Sequence, residues 1–224
     1  MSIAVVTYVP GVIVLSADTA MTIQTQQYTF SHSVYSRKVY LFRSFPFALA
    51  TVGDALYENK PIEYYLQELD VYLERIKITN AKTSISAEEF ASLLYNRFSK
   101  AHNLIFLLGY FVGDTPFVYE FSITKGKLNI KRLNERDEKI IYGCYWNGFK
   151  IPIDKLLLKS PQPNIDFSAM NVKDAIEFTE FLIRTTINYV RFSAMPKIVG
   201  GFVETIIVTP FSTRWVSDMN GQRY

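Results

Sequence analysis

Ser2-Ile3-Ala4-Val5-Val6-Thr7-Tyr8-Val9, then Pro10-Gly11, then Val12-Ile13-Val14-Leu15-Ser16-Ala17-Asp18 follow directly behind Met1. Two apolar, β-branched runs split by a Pro-Gly turn predict two strands, Ser2 to Val9 and Val12 to Ala17. The pair opens on a hydroxyl residue and closes on a lone acid, Asp18. If Met1 is removed, Ser2 carries a hydroxyl and a free α-amine on one residue. An α-amine titrates near 8 when unperturbed, so it can serve as base for its own side chain.

Working outward, polar and turn-rich sequence fills Gln24 to Ser36, and a second strand pair, Lys38 to Phe42 and Phe47 to Val52, ends at Gly53-Asp54. Helical spacing of Ile62, Tyr65, Leu66, Leu69, Tyr72 and Leu73 predicts a helix starting near Pro61 with one buried face. Ser86 and Glu89 form a capping-box signature for a second helix, whose apolar face is Phe90, Leu93, Leu94 and Phe98. Leu104 to Val112, Phe117 to Ile123 and Lys127 to Leu133 read as a meander with a Lys125-Gly126 turn. A short strand is expected at Ile140 to Tyr142, a loop through Trp146-Asn147-Gly148, and a short helix around Ile153 to Leu158. Ser160 to Asn164 reads as a loop. A long helix is expected from Val172 to Tyr189, and a hairpin formed by Phe202 to Val208 and Thr213 to Ser217 about Pro210.

Runs of strands alternating with runs of helices predict an α+β fold rather than a parallel βαβ sheet. Two antiparallel sheets face to face, with helices outside both, would bury nearly all of these apolar strands. The 224 residues read as one domain, 1–224, with no repeat or dividing linker.

The net charge is +3 with basic residues dispersed, so no stripe for nucleic acid is expected. The single cysteine, Cys144, allows no internal disulfide and fits a reducing compartment. The start shows no basic region followed by a long apolar core, so no signal peptide is expected. Apolar runs are strand-length, which predicts no spanning helix, and a cytoplasmic protein is the expectation. His32 and His102 lie far apart without ligand partners, so no metal is expected.

Ser2, Asp18 and Lys38 can converge at one end of a sheet if the first three strands are neighbours. A lysine beside a hydroxyl and an acid supplies a positive field that favours the alkoxide. This arrangement resembles the proteasome β-subunits and their bacterial relatives in the N-terminal nucleophile hydrolase superfamily. The matching strings are Gly11-Val12-Ile13-Val14-Leu15-Ser16-Ala17-Asp18-Thr19, Arg37-Lys38-Val39-Tyr40-Leu41-Phe42 and Ala48-Leu49-Ala50-Thr51-Val52-Gly53-Asp54. Gly148-Phe149-Lys150-Ile151-Pro152-Ile153-Asp154 is similar to Anbu, the bacterial ancestral β-subunit. The resemblance implies a four-layer αββα sandwich and a serine-type peptidase or amidase. In it Ser2 is the nucleophile, Asp18 orients Lys38, and the backbone N–H of Ala50 forms the oxyanion hole. Tyr142-Gly143-Cys144-Tyr145 and Arg191-Phe192-Ser193-Ala194 fall where the family carries supporting residues, which makes Cys144 and Ser193 supporting candidates. Phe192 stands where the family has an acid. The resemblance further implies a peptide or protein substrate and a homo-oligomeric ring or open spiral, and it leaves open whether there is an ATPase partner. Departures in the supporting shell keep two other readings open: a weakly active or inactive structural subunit, and an acyl transferase on the same fold.

Overall fold

A computed structural model describes residues 2–24, 29–80, 84–159 and 163–217. Met1, and the 25–28 and 160–162 parts of the expected loops, lie outside the described residues. The chain runs β1 (Ile3–Val9), β2 (Val12–Asp18), β3 (Met21–Gln24), β4 (Thr29–Ser33), β5 (Val39–Leu41), β6 (Phe47–Gly53), β7 (Leu56–Tyr57), β8 (Lys60–Pro61), α1 (Ile62–Asn80) and α2 (Ala87–Phe98). It continues with β9 (Asn103–Val112), β10 (Thr115–Thr124), β11 (Lys127–Arg132), β12 (Glu135–Arg136), β13 (Lys139–Ile140), β14 (Gly143–Gly148), α3 (Ile151–Leu157), α4 (Val172–Phe192), β15 (Val203–Val208) and β16 (Thr213–Ser217). Among the described residues the fold is mixed α+β, with four helices and antiparallel sheets.

Two five-stranded sheets carry the architecture, ordered β14-β1-β2-β15-β16 and β11-β10-β9-β6-β5. Burial on both faces explains why β1 and β2 are mostly apolar. Ala4, Val6, Ile13, Leu15 and Ala17 meet Ala48, Ala50, Val52, Leu107 and Val118 of the other sheet. The intervening Ile3 and Val5 pack instead against Leu182, Ile183 and Val190 of α4 and Ile153 of α3. Successive side chains on a strand point to opposite faces, so strands covered on both faces lose the polar half of the pattern. Each fully buried Leu or Ile here contributes about 1.5–3 kcal/mol relative to exposure. α1 and α2 cover the second sheet through Leu66, Leu73, Phe90, Leu94 and Phe98, packed on Leu104, Phe106 and Phe121.

The capping box expected at the start of α2 is present, and one not singled out in the sequence stands at α4. Ser86 caps α2, with Glu89 N–H donating to Ser86 Oγ at 3.1 Å and Ser86 N–H donating to Glu89 Oε2 at 3.0 Å. Asn171 and Asp174 form the same box at α4. α4 also meets its sheet through satisfied polar groups: Thr179 Oγ1 donates to Thr7 Oγ1 at 2.7 Å, and buried Glu180 accepts from Thr205 and Ser217.

Three sequence expectations change. Tyr72, placed on the buried face of α1, is exposed, because the buried row is Ile62, Tyr65, Leu66, Leu69 and Leu73. The polar stretch after Asp18 contains a short hairpin, β3 with β4, rather than loop alone. The segment expected to be a loop around Trp146-Asn147-Gly148 is an edge strand, β14, paired along β1 from Ile3↔Gly148 to Tyr8↔Gly143. A strand with polar residues and a terminal glycine carries a weak β signal. Its pairing is supplied by the open edge of β1.

Candidate functional site

β1 begins, β2 ends and β5 begins at one rim of the seam between the two sheets. Ser2 extends the inter-sheet row Val6–Ala4 by one pleat and is almost fully buried at that rim. Asp18 is the last residue of β2, and Lys38 immediately precedes β5. The structure therefore brings the three sequence candidates to one place from three strands.

Asp18 is the hub. Its Oδ1 lies 2.8 Å from Lys38 Nζ and accepts the Ile3 backbone N–H at 3.0 Å. Its Oδ2 accepts the Gly200 N–H at 3.0 Å. Lys38 Nζ also donates to Ala20 O at 2.5 Å. Neither member of the pair reaches bulk solvent, with side chains 6% and 0% exposed. A buried ion pair persists when further hydrogen bonds support both partners, as the Ile3, Gly200 and Ala20 backbone groups do here. One carboxylate thus fixes the ammonium and, through Ile3, the backbone next to Ser2.

Ser2 is held from its other side by the edge strand. Phe149 N–H donates to Ser2 O at 2.8 Å. Gly148 has φ +109°, and a Cβ there would lie 2.0 Å from Ser2 O, so only glycine permits this approach. Asn147 orients the turn: its Oδ1 accepts Gly148 N–H at 2.7 Å, and its Nδ2 donates to Glu120 Oε2 at 2.9 Å. Glu120, reaching over from β10, also accepts Tyr145 OH at 2.5 Å. Asn147 and Gly148 were missed as site residues because that segment reads as a loop. The usable signal was the glycine itself.

Two clefts meet at Ser2. A shallow one of about 20 Å³ lies toward Lys38, Thr51, Gly53 and Glu63. An open one of about 460 Å³ lies toward Met21, Thr22, Asp54, His102, Asn103 and Asn147. Gly53, which lines both, has φ +112°, and a Cβ there would lie 2.1 Å from Asn103 O. A nucleophile at the head of an open groove, beside a buried cation, can attack a polarised carbonyl if it also has a base.

Ala50 is not the oxyanion donor expected from the sequence. Asp54 N–H bonds Asn103 O at 2.9 Å on one edge of β6, and Thr51 N–H bonds Lys38 O at 2.8 Å on the other. Bonded and non-bonded rows alternate in an antiparallel ladder. Ala50 therefore directs its N–H at its partner Leu107, inside the sheet, and it lines neither cleft. By the same alternation Gly53 N–H points to the Lys38 edge, where the cleft is.

Cys144 and Ser193 are not at the site either. Cys144 pairs with Thr7, five residues along β1 from Ser2, which is roughly 16 Å. It packs partly against the α4-side core, and burial pushes its thiol up to about 12. Ser193 caps the end of α4, its Oγ donating to Val190 O at 3.1 Å. Phe192 is 79% exposed on that last turn. What the region after α4 contributes is the Gly200 N–H on Asp18.

A second acid lies behind the pair. Glu204 on β15 is fully buried and accepts Lys38 N–H and Arg37 Nε, both at 3.3 Å. Burial, only partly offset by Arg37, raises its carboxyl to about 7. Among the described residues no cluster of histidine, cysteine and acidic side chains could hold a metal ion, and no helix is long and apolar enough to cross a membrane. No protein-family model and no curated protein matches this sequence.

Proposed function

We propose that this chain is an N-terminal nucleophile hydrolase of the proteasome type, an αββα sandwich that cleaves peptide or amide bonds with Ser2 once Met1 has been removed. The observation that carries the reading is the buried Asp18–Lys38 pair, whose carboxylate also binds the Ile3 N–H next to Ser2. The packing of α1 and α2 on one sheet, α3 and α4 on the other, and an apolar layer between the sheets supports the four-layer arrangement.

In this reading Ser2 Oγ bonds to the carbonyl carbon while its proton passes to the Ser2 α-amine. Lys38 lowers the cost of the alkoxide, and Asp18 orients Lys38. The Gly53 N–H, rather than that of Ala50, faces the developing oxyanion. Collapse breaks the C–N bond, and the ammonium returns its proton to the departing amine. Water, losing its proton to the α-amine, then cleaves the ester and restores Ser2. If another amine replaces water at that last step, the same site is an acyl transferase. The chemistry requires no cofactor or metal.

A peptide or protein substrate fits the open cleft of about 460 Å³. We also propose a cytoplasmic homo-oligomer, a ring or open spiral, with any ATPase partner left unassigned. Val71, Tyr72 and Ile78 of α1 face outward and offer apolar surface for a second copy. The distant Cys144 and the capping role of Ser193 favour a second reading, a weakly active or inactive structural subunit. Intact mass before and after a hydroxyl-directed β-lactone separates the two readings. The hydrolase reading expects a chain lacking Met1 that gains one probe mass, lost in Ser2→Ala. Retained Met1, or labelling that survives Ser2→Ala, rejects it.

A further inference from the structure

We propose that Glu204 is a positioning residue for Lys38, its buried carboxylate clamping the Lys38 backbone N–H and the Arg37 guanidinium so that the Lys38 ammonium is presented to Asp18 and the Ser2 cleft. This rests on the hydrolase reading and adds to it a control on the same site. Lys38 stands one residue before β5, and only its carbonyl joins the pairing with β6, accepting Thr51 N–H at 2.8 Å. Its N–H goes instead to Glu204 Oε2, while Oε1 takes the Arg37 guanidinium. Two consecutive residues are thus tied to one carboxylate that belongs to the other sheet.

The position of Glu204 makes this tie specific. It shares the inter-sheet face of β15 with Ile206 and Val208, whereas Thr205 turns to Glu180 on α4. Its neighbour across the ladder is Ala17, the residue before Asp18. One end of the sheet seam therefore holds Asp18 on the lysine's side chain and Glu204 on its backbone. Arg37 is itself braced, with its guanidinium 5.0 Å from the Trp215 ring.

The clamp is sensitive to protonation. The charged and titratable groups around Glu204 are Arg37 and Tyr40 on the Lys38 segment and Glu63 on α1. Asp18 on β2 is engaged with Lys38, Glu180 on α4 faces the opposite side of β15, and Arg214 on β16 pairs three residues away at Ile207. A neutral acid accepts the two N–H bonds less strongly than a carboxylate. Acidification through neutral pH therefore loosens Lys38, in addition to protonating the Ser2 α-amine.

The test is the rate of β-lactone labelling at Ser2, read by intact mass on Met-trimmed full-length protein across neutral pH, with Ser2→Ala as blank. Glu204→Gln is expected to slow labelling about ten- to hundredfold, as loss of an outer-shell partner does elsewhere. Its acid limb should also fall from a two-proton to a one-proton slope, which a merely structural role would not cause. An unchanged rate and slope in Glu204→Gln, with wild type labelled, overturns the positioning role and leaves the hydrolase reading standing. Arg37→Gln covers the case in which Glu204→Gln does not fold. Removing the guanidinium should move the acid limb to higher pH, and an unmoved limb overturns the proposal. If wild type is not labelled, the hydrolase reading fails by itself. Hydrogen exchange at the Lys38 amide then still decides the clamp: faster exchange in Glu204→Gln supports it, and equal exchange overturns it.

Discussion

Replacing Lys38 by Met should cost about 3 kcal/mol of stability, because it strands a buried carboxylate while keeping most of the side-chain volume. Removing one partner of a buried ion pair costs roughly 3–5 kcal/mol. The lower end applies here, since Asp18 keeps the Ile3 and Gly200 N–H donors. Ala20 O, in contrast, loses its ammonium. For a chain of 224 residues each kcal/mol moves the melting temperature by about 2–4 °C, so a fall of roughly 6–12 °C is expected. Urea unfolding followed by circular dichroism measures it as a lower midpoint at constant slope. Asp18→Asn alone strands the ammonium instead. The double variant removes both charges and should lose less than the two singles together, by about 0.5–3 kcal/mol. A Lys38→Met protein as stable as wild type would refute the reasoning. So would a double variant whose loss equals that of the singles added. Either result would mean that the 2.8 Å pair is not a coupled unit.

Three further outcomes follow from the same geometry. Glu204 is raised by burial above its ordinary value of 4.5 to about 7, so the folded protein keeps a proton that the unfolded chain has lost. That contribution is complete below 4.5 and lost as pH rises through about 7, an effect of about 3 kcal/mol at most; Glu204→Gln should flatten stability against pH in this window, and an unaltered slope counts against the burial argument. Cys144, with its thiol raised to about 12, should resist iodoacetamide in the native protein at pH near 8 and react once unfolded in urea; rapid native labelling would contradict its packing. Gly148→Ala should destabilise by at least about 1–3 kcal/mol from the positive φ alone, and should also displace Ser2, since the new Cβ falls 2.0 Å from Ser2 O; a variant with wild-type melting temperature would show that this approach is not held.

The parts of the fold that were legible in the sequence are those set by local chemistry or by burial on both faces. β1 and β2 announce themselves because every residue from Ile3 to Val9 and from Val12 to Asp18 is buried. α2 and α4 begin where a polar side chain can cap N–H groups three residues on. Long amphipathic helices show their inner face through spacing, and α1 erred only at Tyr72, on the margin of its buried stripe. β14 was not legible. Gly143-Cys144-Tyr145-Trp146-Asn147-Gly148 has no alternation, and every residue is half-buried. Its conformation is imposed by the edge of β1, a partner more than a hundred residues away.

The same distinction separates the parts of the candidate site. Ser2, Asp18 and Lys38 could be singled out as candidates because their chemistry belongs to the side chain, and each stands at a strand end that the sequence marks. Ala50 and Cys144 lie elsewhere than expected because their surroundings depend on register, and Ser193 because it is taken up in capping α4. The direction of a backbone N–H changes with each residue along β6, so the same sheet with the same sequence gives a cleft donor at Gly53 and an internal one at Ala50. Likewise β14 runs antiparallel to β1, so the end of it that meets Ser2 is Asn147-Gly148, and Cys144 is carried away from the rim. Glu204 was invisible for a further reason. An isolated acid in the apolar run Val203 to Val208 reads as one outward-facing residue on a strand. It reaches Lys38 only because β15 lies next to β2 and its inner face meets the start of β5. The chemistry of such a site can thus be guessed from single residues, but which backbone groups remain available for it depends on two ladders at once.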